Sequence, residues 1–308
     1  MARRRLASAL TDRRAAQGIL FAFLAYASWG LLSPVGKRLL EDFHPMGLNG
    51  VRFAIATAVF FLATGPTVVR DSLRLLRNRD VLWVNLLANV SLSLFLYSLT
   101  TLPATFATLG FYTAPLWTAA LARMMLGERM GWSFLPAAVG LLAGGYLTLF
   151  GLAAPGDGFS IGGLGLAVAS AVVWGYYTVV LRRAAPGLPL KPLMGASFLF
   201  GTVYFLGLAL VLEGPPAVLH QSAATWGWLA LHVAFPSLAA FALFNAALQR
   251  APAGPVNLLV GAELGFTVLF AWLLFGQGLA LDQLAGLVIV LGSVTAYLAA
   301  RSKAAPSG

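Results

Sequence analysis

Glu263 lies about nine residues into an otherwise uncharged run of roughly 20, near the middle of a stretch long enough to cross a bilayer. An acidic side chain at that depth costs on the order of 2.5 to 3.5 kcal/mol on insertion scales, so it must face protein or a watery cavity. Two chemistries suit it. It is either a carboxylate that binds an amino group or exchanges a proton, or a buried glutamic acid hydrogen-bonded to a neighbouring helix. Arg52 is the only basic residue well inside such a run. Its long stem lets the guanidinium reach the membrane surface, and this anchoring role is favoured over pairing with a ligand carboxylate.

Two tryptophans carry the next signal. Trp29-Gly30 is followed by Lys37-Arg38, and 145 residues later Trp174-Gly175 is followed at the same spacing by Arg182-Arg183. Gly18 with Gly163, Ser33 with Thr178 and Val35 with Val180 keep that offset. Equivalent tryptophans from two related halves would approach one pathway and line it with flat apolar walls. The alternative is that each fills the space beside its glycine at a helix crossing. Trp174 is the stronger candidate, because Gly175-Tyr176-Tyr177 adds hydroxyls. Tyr112, Trp117 and Tyr177 are also deep, whereas Trp83, Trp132, Trp226 and Trp228 stand at predicted helix starts, where indoles settle at the interface. Asn85, Asn89 and Asn245 place amides within spans, where interhelical hydrogen bonds are expected, and Asn89 and Asn245 are also candidates to line a cavity. Gly140, Gly144 and Gly145 predict close helix contact.

Membrane helices must position these residues. Of 308 residues 59% are hydrophobic and 10% charged, and the mean hydropathy is +0.84. Runs of the required length predict ten spans, near 16–36, 46–66, 81–99, 103–122, 131–150, 159–181, 192–212, 226–248, 254–275 and 283–300. The longest run reverses at Thr100-Thr101-Leu102-Pro103, where proline removes a backbone donor. Alternate loops hold 17 of the 20 lysines and arginines, which puts both termini in the cytoplasm. That placement explains the net charge of +10 without a nucleic-acid partner. The basic start runs into a long apolar stretch that continues through Trp29-Gly30, so it reads as a permanent first helix. Cysteine is absent and the three histidines, His44, His220 and His232, are scattered; no cofactor or metal site is expected, and an intramembrane enzyme is a remote alternative.

Five spans is an odd number, so a second copy enters the membrane from the opposite side. The expected fold is an all-α integral membrane protein of ten transmembrane helices built as two inverted five-helix repeats. A basic cytoplasmic segment, 1–14, precedes the repeats at 15–150 and 151–300, and a cytoplasmic tail, 301–308, follows. Pro103-Ala104 and Gly127-Glu128 match Pro252-Ala253 and Gly276-Gln277 at a common offset of 149. Inverted repeats place a substrate site near the midplane, on the pseudo-twofold axis.

Together these residues resemble the ten-helix EamA-type exporters of the drug/metabolite transporter superfamily. The likeness rests on Trp29-Gly30 with Lys37, on Arg52-Phe53, on Ala114-Pro115 through Leu126-Gly127-Glu128-Arg129, and on Ala262-Glu263 through Phe275-Gly276. Where family members often have Glu-Pro and Gly-Glu, this chain has Glu263-Leu264 and Gly276-Gln277, which removes the proline expected to break the ninth helix. Trp174, Tyr176, Tyr177, Tyr112 and Pro115 are most similar to bacterial exporters of aromatic and other neutral amino acids. The resemblance implies a carrier in the bacterial inner membrane that exports small amphipathic molecules by alternating access. Its substrate-binding candidates are Trp174, Glu263, Trp29, Tyr112, Tyr177, Trp117, Asn89 and Asn245. The partners expected are a small-molecule substrate and the lipid bilayer. Other metabolites or drugs are the alternative cargo; nucleotide sugars and sugar phosphates fit less well, since they need several basic groups and the spans hold only Arg52.

Overall fold

The computed structural model describes residues 2–102, 104–128, 130–151, 160–216, 221–276 and 280–304, and every regular element among them is helical. Pro103, Arg129, His220 and Gln277 lie outside these residues. Eight helical segments are long and apolar enough to span a membrane: Arg13–Leu39, Pro45–Thr64, Arg79–Ser98, Ile161–Ala184, Leu190–Leu212, Ala223–Leu248, Ala253–Phe275 and Leu281–Ala300. Two further apolar segments complete the predicted ten. The fourth is Ala104–Phe111 continued by Ala114–Leu126, and the fifth is Phe134–Phe150.

Local chemistry sets the helix ends. Asn78 accepts from the Asp80 N–H at 2.8 Å at the start of the third span, and Ser222 accepts from Thr225 N–H at 3.1 Å at the start of the eighth. Gly127 and Gly276 close the fourth and ninth spans in the same left-handed conformation, φ 66° with ψ 17° and φ 66° with ψ 16°. Trp83, Trp132 and Trp226 are exposed, as interfacial residues need, while Trp228 stacks on Phe275 at 5.5 Å. Two features lie beyond the sequence reading. The first helix extends back to Ala2, and a helix at Pro66–Leu75 follows the second span, carrying Arg70, Asp71 and Arg74 on an exposed face.

The packing has twofold logic. The third span packs on the sixth and the eighth on the first; the fourth packs on the sixth and the ninth on the first. The second and seventh, fourth and ninth, and fifth and tenth pack on each other. Exchanging every span for the one five places on leaves this pattern unchanged, as two inverted five-helix repeats require. Side chains follow. The Thr57 and Thr202 hydroxyls, 145 residues apart, lie 3.0 Å from each other, and each also donates to the carbonyl four residues back. A Cβ on Gly30 would meet Phe266 and Thr267, and one on Gly175 would meet Trp117 and Thr118, both pairs shifted by 149. The expected close glycine contact is present, since a Cβ on Gly144 would lie 2.7 Å from the Gly286 carbonyl on the tenth span.

Candidate functional site

Four of the ten spans are interrupted, and all four breaks border one cavity. The first span breaks at Gly30-Leu31 and the fourth at Tyr112-Thr113. The eighth passes through a π-helical segment, Val233–Ala239, that contains Pro236, and the ninth turns at Leu259. Trp29, Tyr112, Phe241 and Glu263 line the cavity within about a turn of these breaks. Interrupted helices are tolerated at membrane depth where protein or a water-filled space satisfies the freed backbone groups. Here the Trp29 indole N–H donates to the Pro236 carbonyl at 3.0 Å, which satisfies that oxygen and fixes the ring. The break in the ninth span forms without the family's proline, and Glu263 falls in the first turn of the helix that follows it.

The cavity encloses about 120 Å3, against the roughly 10 to 15 Å3 that a single water needs. Its wall is aromatic. Trp29 and Trp174 meet edge to face, with centroids 5.8 Å apart and an interplanar angle of 74°. Tyr177 packs on Trp174 at 4.8 Å, Tyr26 on Trp29 at 5.3 Å, and Phe244 backs both indoles at 5.1 and 5.7 Å. Behind the wall the Tyr26 hydroxyl donates to Asn257 Oδ1 at 2.9 Å, and Asn257 Nδ2 donates to Thr118 Oγ1. That chain ties the first, ninth and fourth spans together beneath the site.

Polar groups face the same space. Asn85 and Asn89 line it, but their amides donate to carbonyls four residues back in their own helix, at 2.9 and 2.7 Å, rather than across helices as the sequence suggested. Asn245 does the same, to the Phe241 carbonyl at 2.8 Å. Glu263 reaches the cavity without a hydrogen bond or ion pair to any described residue. Arg52 corrects the expectation of a surface anchor. It is 3% exposed, lines the cavity, and holds its guanidinium 4.9 Å from the Phe53 ring centroid with Nε unpartnered. The second span packs on the seventh, and Arg52 is buried within that packing.

Comparison with known proteins fits this geometry. The model of the EamA-like transporter family matches residues 16–150 and, a second time, residues 161–299. This chain belongs to the EamA-like transporter family. It is similar to the Bacillus subtilis (strain 168) protein described as "Uncharacterized transporter YvbV", with 26% identity over 194 residues. That match spans 61% of each protein, so the chain covers less than two thirds of this relative. A solved crystal structure superposes with a TM-score of 0.77 over 94% of this chain and 99% of the other, at 23% identity, and shows the shared fold.

In this member of the EamA-like transporter family the cavity gathers Trp29, Asn89, Tyr112, Trp174, Tyr177 and Glu263 of the sequence candidates. Trp117 and Asn245 lie elsewhere. Trp117 is 39% exposed, donates to Thr113 Oγ1 at 3.1 Å, and packs its Cβ against Gly175 at the helix crossing. Asn245 sits one turn beyond the cavity-lining Phe241, within the packed interior. The sequence reading missed Tyr26, which is visible as an aromatic one turn before Trp29 on the same face. It also missed Ser91 and Ser170, which line the cavity and exchange hydroxyl-to-carbonyl bonds at 2.9 and 2.7 Å across the third and sixth spans.

Proposed function

We propose that this EamA-family transporter exports small amphipathic metabolites, aromatic and other neutral amino acids first among them, across the bacterial cytoplasmic membrane by alternating access. The observation that carries this reading is the aromatic cavity between two inverted halves, bordered by four interrupted spans. A site on the pseudo-twofold axis belongs equally to both halves, so rocking one against the other exposes it to each side in turn. The paired indoles, with Tyr112 and Tyr177, give a flat apolar surface, while Glu263, Arg52 and Asn89 supply a small number of polar contacts. One guanidinium is poor equipment for a nucleotide sugar or a sugar phosphate, which argues for a cargo without several negative charges. Both termini lie in the cytoplasm in this reading, because 17 of 20 basic residues then fall on the inner side.

Counterflow tests it. Purified protein in liposomes preloaded with an unlabelled neutral amino acid should accumulate a trace of the labelled one, saturably and without an imposed gradient. Folded protein that accumulates none of the aromatic or neutral amino acids would remove the amino-acid reading and direct the search to other amphipathic metabolites.

A further inference from the structure

The cavity is twofold in its paired indoles but not in its charges. Trp29 and Trp174 are equivalents at an offset of 145, yet the equivalent of Arg52 at that offset is Ser197, which also lines the cavity. The equivalent of Glu263 at the offset of 149 is Ala114. One positive and one negative group therefore face the same cavity, each present once among the described lining residues. Neither is matched by the protein: Arg52 and Glu263 form no ion pair with each other or with another described residue, and Arg52 Nε lacks any hydrogen bond. No other Asp, Glu, Lys, Arg or His is among the described lining residues. A guanidinium that is 3% exposed and taken out of water calls for a counter-charge.

We propose that Arg52 and Glu263 together make this a zwitterion site, in which the guanidinium holds the substrate carboxylate and the Glu263 carboxylate holds its ammonium group. The proposal rests on the transport reading of the same cavity and deepens it. A planar guanidinium suits a carboxylate because its N–H groups form parallel, charge-assisted hydrogen bonds to both oxygens. A cargo with only one charge leaves the other protein group desolvated and unpaired, so the site rejects amines and acids that lack the second charge. Because the charges break the twofold, the substrate binds in one orientation, with its side chain against the Trp29 and Trp174 rings. Arg52 is thereby a specificity-determining residue.

The test is competition against labelled L-phenylalanine binding to the purified transporter, with L-phenylalanine methyl ester (no carboxylate) and N-acetyl-L-phenylalanine (no ammonium) as probes. In the wild type both probes should compete at least tenfold less well than L-phenylalanine. Arg52→Gln should weaken L-phenylalanine at least tenfold while the ester, which no longer strands a guanidinium, competes as well as or better than it does against the wild type; Glu263→Gln should weaken L-phenylalanine while the N-acetyl compound competes as well or better. Arg52→Lys, which keeps the charge, should recover part of the loss. A structural role would instead lower all ligands alike, and that result overturns the proposal, as does Arg52→Gln with wild-type affinity for L-phenylalanine. If Arg52→Gln does not fold, judged by its thermal unfolding, the wild-type comparison decides, and an ester that competes as well as L-phenylalanine overturns it. Folded wild type that binds no neutral amino acid sinks the amino-acid reading and this proposal together; binding without the charge preference sinks this proposal alone.

Discussion

Asn257 is fully buried and serves two spans besides its own, accepting from Tyr26 and donating to Thr118. Replacing it with alanine leaves the buried Tyr26 hydroxyl without its acceptor, so Asn257→Ala should lower stability by about 1 to 3 kcal/mol. Thermal unfolding in detergent reads this directly, and an unchanged midpoint would show that the chain of bonds contributes nothing. Trp174 acts on the ligand side of the same wall. Trp174→Ala removes the ring that meets both Trp29 and Tyr177, and it should cut counterflow roughly tenfold, about 1.4 kcal/mol of binding, with the fold retained because Phe244 and Phe111 still fill the neighbourhood. Full transport by this variant would take the indole out of the site. Residues of this kind were legible in the sequence because a charge or a clustered aromatic deep in lipid demands a protein-facing environment. Rotation about the helix axis was not legible. Trp117 and Asn245 fall within predicted spans, as the lining residues do, but turn towards a helix crossing and towards the packed core, and Arg52 was assigned to the surface because its stem is long enough to reach it.

At the scale of the helix, glycine decides how closely spans approach. A Cβ at Gly30 would stand 2.5 Å from Phe266 Cβ, and one at Gly175 would stand 2.9 Å from the Thr118 backbone nitrogen, whereas Gly207 has no neighbour within 4 Å. Gly30→Ala and Gly175→Ala should therefore each destabilise by roughly 1 to 3 kcal/mol through overpacking, and Gly207→Ala should be neutral or slightly stabilising by its better helix propensity. The comparison is made by unfolding midpoint; equal shifts in all three would mean the crossings can open without cost. The Trp-Gly repeat announced these crossings, since a large ring beside a missing side chain at equal spacing marks one packing solution used twice. Helix breaks were harder to read. An apolar run looks continuous whether or not its backbone turns, and Leu259 interrupts the ninth span with neither glycine nor proline at that position. Pro236 removes the donor that would bond the His232 carbonyl one turn back, and what surrounds the segment is remote in sequence: Ser237 Oγ donates to that carbonyl at 3.4 Å while the distant Trp29 indole donates to the Pro236 carbonyl. The helix at Pro66–Leu75 escaped because its exposed arginines read as an ordinary basic loop.

For the whole molecule, inversion makes a demand that no single element does: residues equivalent in the two halves must lie on opposite sides of the membrane. Arg38 and Arg183 are such a pair, 145 residues apart at the ends of the first and sixth spans. The chain has no cysteine, so a single introduced thiol reports its own position without a background to remove. Neither change should disturb the fold. Arg183 is exposed, and Arg38 loses only part-exposed contacts with Glu41 and Asp42 at 2.9 and 3.2 Å, a class of ion pair that contributes about 0 to 1 kcal/mol. With the termini cytoplasmic, Arg38→Cys should react with a membrane-impermeant maleimide in intact cells, and Arg183→Cys should react only after the membrane is opened. Arg74→Cys, in the helix after the second span, should behave like Arg183→Cys, since crossing out and back returns the chain to the inner side. Labelling of Arg183→Cys alone in intact cells would keep the inversion and reverse the orientation, turning the basic loops outward against the charge rule. Labelling of both Arg38→Cys and Arg183→Cys from one side would break the inverted relation itself, and with it the shared axis on which Trp29 and Trp174 converge.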